Sequence, residues 1–210
     1  INAQAYFGKD FEDQDVLSGG CSNLSIVGTN DWFSSSFNGN SFARVSNGGN
    51  SDAEAWLITP AIDLSAATLP IFSFASSAKF TGADLEVFTS TDYDGTSNPN
   101  NQGTWNSVTA PLSTGNNYDW VHSGEIPVTN TSTTTYFAFK YTGTTTSGMA
   151  WQVDSIFIAE TGTPFESTIV IPPPSTVSVY DIQNSSGASP YENQTVSTGG
   201  VVTYVRKDGK

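Results

Sequence analysis

The chain is poor in the residues that build most catalytic and metal centres. One cysteine, Cys21, among 210 residues leaves no partner for an internal disulfide. A single histidine, His122, cannot form a zinc site with one cysteine and no second histidine. Lys and Arg number only 7 against 20 Asp and Glu, a formal charge of -13 that repels phosphate backbones and anionic membranes. Direct nucleic-acid binding by residues 1–165 is therefore not expected. No apolar run approaches the roughly 20 residues of a membrane helix, so no membrane insertion is expected. Chemistry is equally sparse. There is no Gly-x-Ser-x-Gly elbow, no group that clearly pairs with His122, and no Lys-Ser/Thr to complete a phosphate-binding loop. Carboxylates are plentiful, but nothing selects one pair as a glycosidase couple. Catalysis within this chain is not expected, and Cys21 reads as structural.

What the chain does have is short Val, Ile, Phe, Tyr and Thr-rich runs divided by Gly, Asn, Ser and Asp clusters, the pattern of an all-β sandwich or barrel. The most informative run is Asp52 to Ser65. Trp56 to Thr59 favour a pleated, half-buried strand, Pro60 ends it, and Ile62 and Leu64 then alternate with Asp63 and Ser65. Asp52 and Glu54 share a face of the approach if it is extended; they either solvate an edge or converge on calcium.

Before this run, Leu24 to Val27 reads as a strand, and Asn38-Gly39-Asn40 is a hairpin signal with Phe42 to Val45 returning. After it, Leu69 to Phe74 and Ala83 to Thr89 read as core strands. In Asp92 to Gln102, Asp-Tyr-Asp-Gly lacks the distal Glu of an EF-hand, and local Asx turns are the favoured reading. Tyr118, Trp120 and His122 share a face if that segment is extended. Tyr136 to Tyr141 alternates as a half-buried strand. In Trp151 to Ile158, simple alternation puts Gln152, Asp154, Ile156 and Ile158 on one face. A carboxylate among such neighbours costs several kcal/mol unless a cation or hydrogen bonds meet it. For ligand binding, Trp32, Trp105 and Trp120 lie nearest to loops and offer flat faces for sugar stacking.

Four segments in register resemble the choice-of-anchor J domains, relatives of the cleaved-adhesin and MAM-like jelly rolls of secreted proteins in Bacteroidetes-type bacteria. They are Asp10-Phe11-Glu12-Asp13, Glu54 to Ser65, Val87 to Gly95 with Gly103-Thr104-Trp105, and Trp151 to Ile158. The resemblance implies a jelly-roll β-sandwich over residues 1–165, with its first and last strands side by side. It also implies a structural calcium held by Glu12, by Asp52 or Glu54, and by Asp154. Departures from the pattern, Glu54 where Asp is common and Ser155 where a second acid is common, leave a metal-free, hydrogen-bonded version open.

The Pro172-Pro173-Pro174 run marks a stiff linker over 166–176. Residues 177–210 resemble the start of the OB-like domain of the ExeM family of extracellular nucleases, through Asp181-Ile182-Gln183, Ser189-Pro190-Tyr191 and Val201-Val202-Thr203. Five strands make an OB barrel, so this segment is incomplete. The expected role is a non-catalytic, secreted or surface-exposed binding or adhesion module at the head of a longer protein. Its expected partners are a glycan or a cell-surface protein and the downstream domains of the same chain. The rival expectations are an ancillary region of an extracellular nuclease or phosphodiesterase, and a structural spacer.

Overall fold

A computed structural model describes residues 4–115 and 117–165. The linker expected at 166–176 and the OB-like segment expected at 177–210 lie outside the described residues. Those described form twelve strands and one short 3-10 turn at Ser18–Gly20. In chain order the strands are β1 (Ala5–Lys9), β2 (Ser22–Val27), β3 (Phe33–Phe37), β4 (Asn40–Val45), β5 (Ala53–Ile58) and β6 (Pro70–Lys79). There follow β7 (Glu86–Ser90), β8 (Asn106–Ser107), β9 (Val121–His122), β10 (Ile126–Pro127), β11 (Tyr136–Gly143) and β12 (Ala150–Glu160).

They make two antiparallel sheets. Sheet A has seven strands in the order β10-β6-β12-β4-β3, with β1 added to β12 and β9 to β6; sheet B has five in the order β2-β5-β11-β7-β8. Sheet A meets sheet B through one apolar layer, because strand alternation turns every second side chain inward. Phe72, Phe74 and Ala78 of β6 and Val153, Ile156 and Ile158 of β12 meet Ala53, Ala55 and Leu57 of β5 and Phe137, Phe139 and Tyr141 of β11. At Asn38-Gly39 both residues take positive φ, 51° and 82°, so the signal read in the sequence is the tight turn that joins β3 to β4. Ile62 and Leu64 are buried between exposed Asp63 and Ser65, as their alternation predicts.

The first and last strands do lie side by side, with Phe7 opposite Ile158 and Lys9 opposite Ile156. Two local expectations fail. The Asp10 to Asp13 segment is a turn that follows β1, not a strand. Phe11 and Gln14 have φ near 58°, and Asp10, Asp13 and Asp15 each accept a backbone N–H two residues on. Closely spaced carboxylates prefer such local bonds to a sheet ladder. The phase of β12 also shifts. Ser155 has φ 52° and the register against β6 slips between Asp154 and Phe157, a bulge that sends Ile156 and Ile158 to the core. Asp154 consequently shares the outer face with Gln152 rather than with the isoleucines.

Candidate functional site

The outer face of sheet A carries a cleft of about 630 Å³. Its floor follows from alternation in β4: Ala43 and Val45 point to the core, and Phe42 and Arg44 point out. Across the hairpin, Ser35 lies opposite Phe42 and Phe37 opposite Asn40, so β3 extends the same face. On the other side Gln152 of β12 lies opposite Arg44. A long loop between β8 and β9 forms the far wall with Asn117, Tyr118 and Trp120.

That wall is not extended. Asn117 and Tyr118 both have positive φ, 63° and 62°, and Tyr118 N–H donates to the Ala78 carbonyl at 2.9 Å. Ser113 fixes the loop from behind: its Oγ accepts from Ala78 N–H, and its N–H donates to Ser76 Oγ, each at 3.1 Å. The expected grouping of Tyr118, Trp120 and His122 therefore holds in part. Tyr118 and Trp120 line the cleft, and His122, paired with Ala75 on β9, does not.

Aromatic and polar groups alternate around the opening. The Trp120 ring stands edge-on to Phe42 at 5.6 Å and remains 38% exposed. Phe37 is 71% exposed at the rim. An Arg44 terminal N–H donates to the Tyr118 hydroxyl at 3.0 Å, and the guanidinium lies 5.6 Å from the centre of that ring. Lys79 Nζ approaches the same ring to 5.6 Å and donates to Asn117 Oδ1 at 3.3 Å. Asn38, Asn40, Asn117 and Gln152 add side-chain amides. A flat apolar face bordered by amides suits a polyhydroxylated ring.

The two other tryptophans expected as platforms are committed elsewhere. Trp32 is 2% exposed, and its indole N–H donates to the Ala55 carbonyl at 3.3 Å. It is core because β3 starts only at Phe33 and the chain enters beneath the sheet. Trp105 is half-buried over sheet B, 5.2 Å from Trp56 and 5.1 Å from Tyr93, and donates to the Pro99 carbonyl. Sequence reading missed Arg44, Phe37, Gln152 and Asn117 as cleft residues. A signal did exist in Phe42-Ala43-Arg44-Val45, where an arginine occupies the outward phase of a strand in a chain with few cations.

The carboxylates expected to share an ion fall on different sheets. Asp52 and Glu54 belong with sheet B. Glu54 lies 3.6 Å from Lys140 Nζ and accepts from the Trp56 indole at 2.9 Å and from the Asn100 amide. Asp52 accepts from Thr145 N–H at 3.3 Å. Glu12 and Asp154 stay together, at the place where β1 ends and β4 begins along the same edge of β12. Asp154 accepts from the Asn40 amide at 3.0 Å and from Ser155 N–H at 2.6 Å, and Glu12 accepts from Ser41 N–H at 2.9 Å. Burial, reinforced by the negative charges of Glu12 and Asp10, raises the Asp154 carboxyl to about 6. Among the described residues no three or more His, Cys, Asp or Glu side chains are grouped so as to hold a metal. The four-carboxylate set is thus not assembled.

The Cys21 thiol is not prepared as a nucleophile. Burial pushes the Cys21 thiol up to about 11, the opposite of activation. In the Asp92 to Gln102 loop the carboxylates cap backbone, as expected: Asp92 accepts from Thr104 N–H at 2.6 Å and Asp94 from Ser97 N–H at 2.8 Å. No helix among the described residues is long and apolar enough to cross a membrane.

In sequence the chain matches no protein-family profile and no curated relative. In structure it is similar to the K3 cleaved adhesin domain of Lys-gingipain from Porphyromonas gingivalis W83, at 16% identity, 76% of this chain, 99% of that one and a TM-score of 0.53. The K1 cleaved adhesin domain of the same protein gives 16% identity, 74% and 98% coverage and 0.49. A xylan-binding domain of the CBM 22 class gives 19%, 78% and 99%, and 0.45. The first of these likenesses agrees with the architecture: the described residues form a jelly-roll β-sandwich.

Proposed function

We propose that residues 4–165 act as a non-catalytic binding module that holds a glycan in the cleft of sheet A. One observation carries this reading. Trp120 keeps more than a third of its surface open beside Phe42, Tyr118 and a ring of amides, in a fold that buries its other tryptophans more deeply. An exposed indole grouped with Phe37, Phe42 and Tyr118 in a polar-lined groove has the make-up of a ligand surface. The adhesin name of the K3 neighbour accords with a binding role, as does the choice-of-anchor J resemblance of the quoted motifs, and both agree with a secreted or surface location. A glycan array probed with the full 210-residue chain is expected to give hits that Trp120→Ala abolishes. Hits unaffected by that change, or none, would remove the cleft from consideration.

A structural calcium belongs to the same proposal, reduced to Glu12 and Asp154. An ion there would offset the burial of the Asp154 carboxylate and, to a lesser extent, its repulsion by Glu12, and it would take the rest of its roughly six to eight oxygens from carbonyls and water. Calcium is expected to raise Tm and a chelator to lower it, because only the folded chain presents both carboxylates together. Equal melting curves in calcium and in chelator would reject the ion.

A further inference from the structure

We propose that the cleft selects an acidic glycan, whose sugar carboxylate is received by Arg44 while a ring of the same chain lies against Trp120; this rests on the glycan-binding reading above. The few cations of the chain are unevenly paired. Of 7 Lys and Arg, the described residues hold Lys9, Arg44, Lys79 and Lys140. Lys9 is paired with Asp13, and Lys140 lies between Glu54 and Glu86. Arg44 and Lys79 have no carboxylate partner among the described residues, and both reach the ring of Tyr118. In a chain of charge -13, two of the four described cations thus have no carboxylate partner among the described residues, and they lie together.

Arg44 is also under-used as a donor. A guanidinium carries five N–H groups, and among the described residues the one hydrogen bond it makes is to the Tyr118 hydroxyl. Its Nε is buried, out of a ligand's reach, and has no acceptor among the described residues; the terminal nitrogens are the part of Arg44 that a ligand in the cleft can meet. The end formed by its two terminal nitrogens, which keeps three N–H groups beyond the one given to Tyr118, matches a carboxylate in two parallel hydrogen bonds. No Asp or Glu lines the cleft to compete for it. Tyr118, held between two cations, keeps the guanidinium in place.

The same charge arithmetic decides what kind of anion fits. A dense polyanion such as a nucleic acid meets the repulsion of the whole chain along its length. One carboxylate on an otherwise neutral sugar backbone meets Arg44 within a screening length of about 10 Å, and its hydroxyls find Asn38, Asn40, Asn117 and Gln152. Uronic and sialic acids share this chemistry.

The test is calorimetric titration of the full chain with a neutral oligosaccharide carrying a single glucuronic acid against its methyl ester, and with sialyllactose against lactose. A short oligothymidylate serves as the nucleic-acid arm. In at least one pair the acid is expected to bind roughly tenfold tighter than its neutral counterpart. That preference should shrink between about 0.02 and about 0.5 M salt. Arg44→Gln should abolish it, Arg44→Lys should restore it in part, and Lys79→Gln should weaken it. Circular dichroism and melting of each variant separate lost recognition from lost fold, and the Arg44→Lys chain, which keeps the charge, remains informative if Arg44→Gln unfolds. Acid and neutral forms binding alike, or acid binding indifferent to Arg44, overturns this inference and leaves the glycan reading standing. Arg44-dependent binding of oligothymidylate overturns it in favour of nucleic acid. Binding of no glycan at all defeats the underlying reading as well.

Discussion

The two outer faces of this sandwich began with the same material, aromatic residues beside a long loop, and ended in opposite states. Over sheet B the loop of residues 91–105 is closed on itself. Asp92 holds Thr104 through both its N–H and its hydroxyl, Asp94 holds Thr96 and Ser97, and Gln102 bridges Asp94 N–H and the Asp92 carbonyl. The loop so fixed lays Tyr93 and Trp105 on Trp56 and Phe88, making a second small core. Over sheet A the loop that follows β8 is pinned at Ser113 and Tyr118, behind its aromatic tip, so Trp120 touches Phe42 by an edge and stays open. An aromatic near a loop becomes core when the loop supplies its own caps, and surface when its anchors lie elsewhere.

The strongest test of this contrast is to empty the closed face. Trp56 is 2% exposed, stacks on Phe88 at 5.5 Å, and lies beneath Lys140. Trp56→Ala is expected to cost about 3–4 kcal/mol of stability by chemical denaturation, the scale for removing a buried aromatic. Glycan binding at the cleft should persist under conditions where the variant is folded. A loss below about 1 kcal/mol would show that the cover over sheet B is loose, and the contrast would collapse.

An intermediate effect is expected at the seam between β1, β4 and β12. The Asp154 carboxyl stands at about 6 against an ordinary 3.8, mainly through burial. The folded chain therefore binds a proton more readily than the unfolded one over that window. The stability that this carboxyl contributes is full below about pH 4, declines as pH rises through 6, and is level above, a total of about 2–3 kcal/mol in the absence of metal. Asp154→Asn should flatten this slope. The slope is the proper readout, because the amide cannot accept from both Asn40 and Ser155 and so shifts the absolute value too. Carboxyls held low by hydrogen bonds, such as Asp94 at about 2, act in the opposite sense and at lower pH. A slope unchanged in Asp154→Asn would assign it to another group. Loss of the slope on adding calcium would place the ion at this carboxylate.

How much of this was legible in advance differs by length scale. The core strand β11 was readable because Phe137, Phe139 and Tyr141 alternate over a distance shorter than a strand; Ile62 and Leu64 alternate and are buried too, but the strand expected there is only an isolated bridge from Ile62 to Thr135. The Asn38-Gly39 turn was readable because its chemistry is local. Two kinds of feature were not. A single positive φ at Ser155 inverts the phase of the rest of β12, and one residue in eleven leaves no periodic trace. Sheet membership is the other. Asp52 and Glu54 look as available to Asp154 as Glu12 does until strand pairing puts them on sheet B. The cleft suffered most, since its walls come from β3, β4, β12 and a loop separated along the chain, and its arginine carries no motif.

The smallest expected change in stability is at the residue expected to matter most for binding. Trp120 is packed on one edge and open on its face, so Trp120→Ala removes an aromatic pair and little buried area. A cost of about 1 kcal/mol or less is expected, well short of that at Trp56 although the side chains are identical. Glycan affinity should nevertheless fall at least roughly tenfold, because the ring is the flat surface against which a sugar is placed. A Trp120→Ala chain that loses as much stability as Trp56→Ala would mean that its loop, too, closes a core. The open face would then be a seam of the fold rather than a site, and Arg44 would be left with its acceptor to find elsewhere.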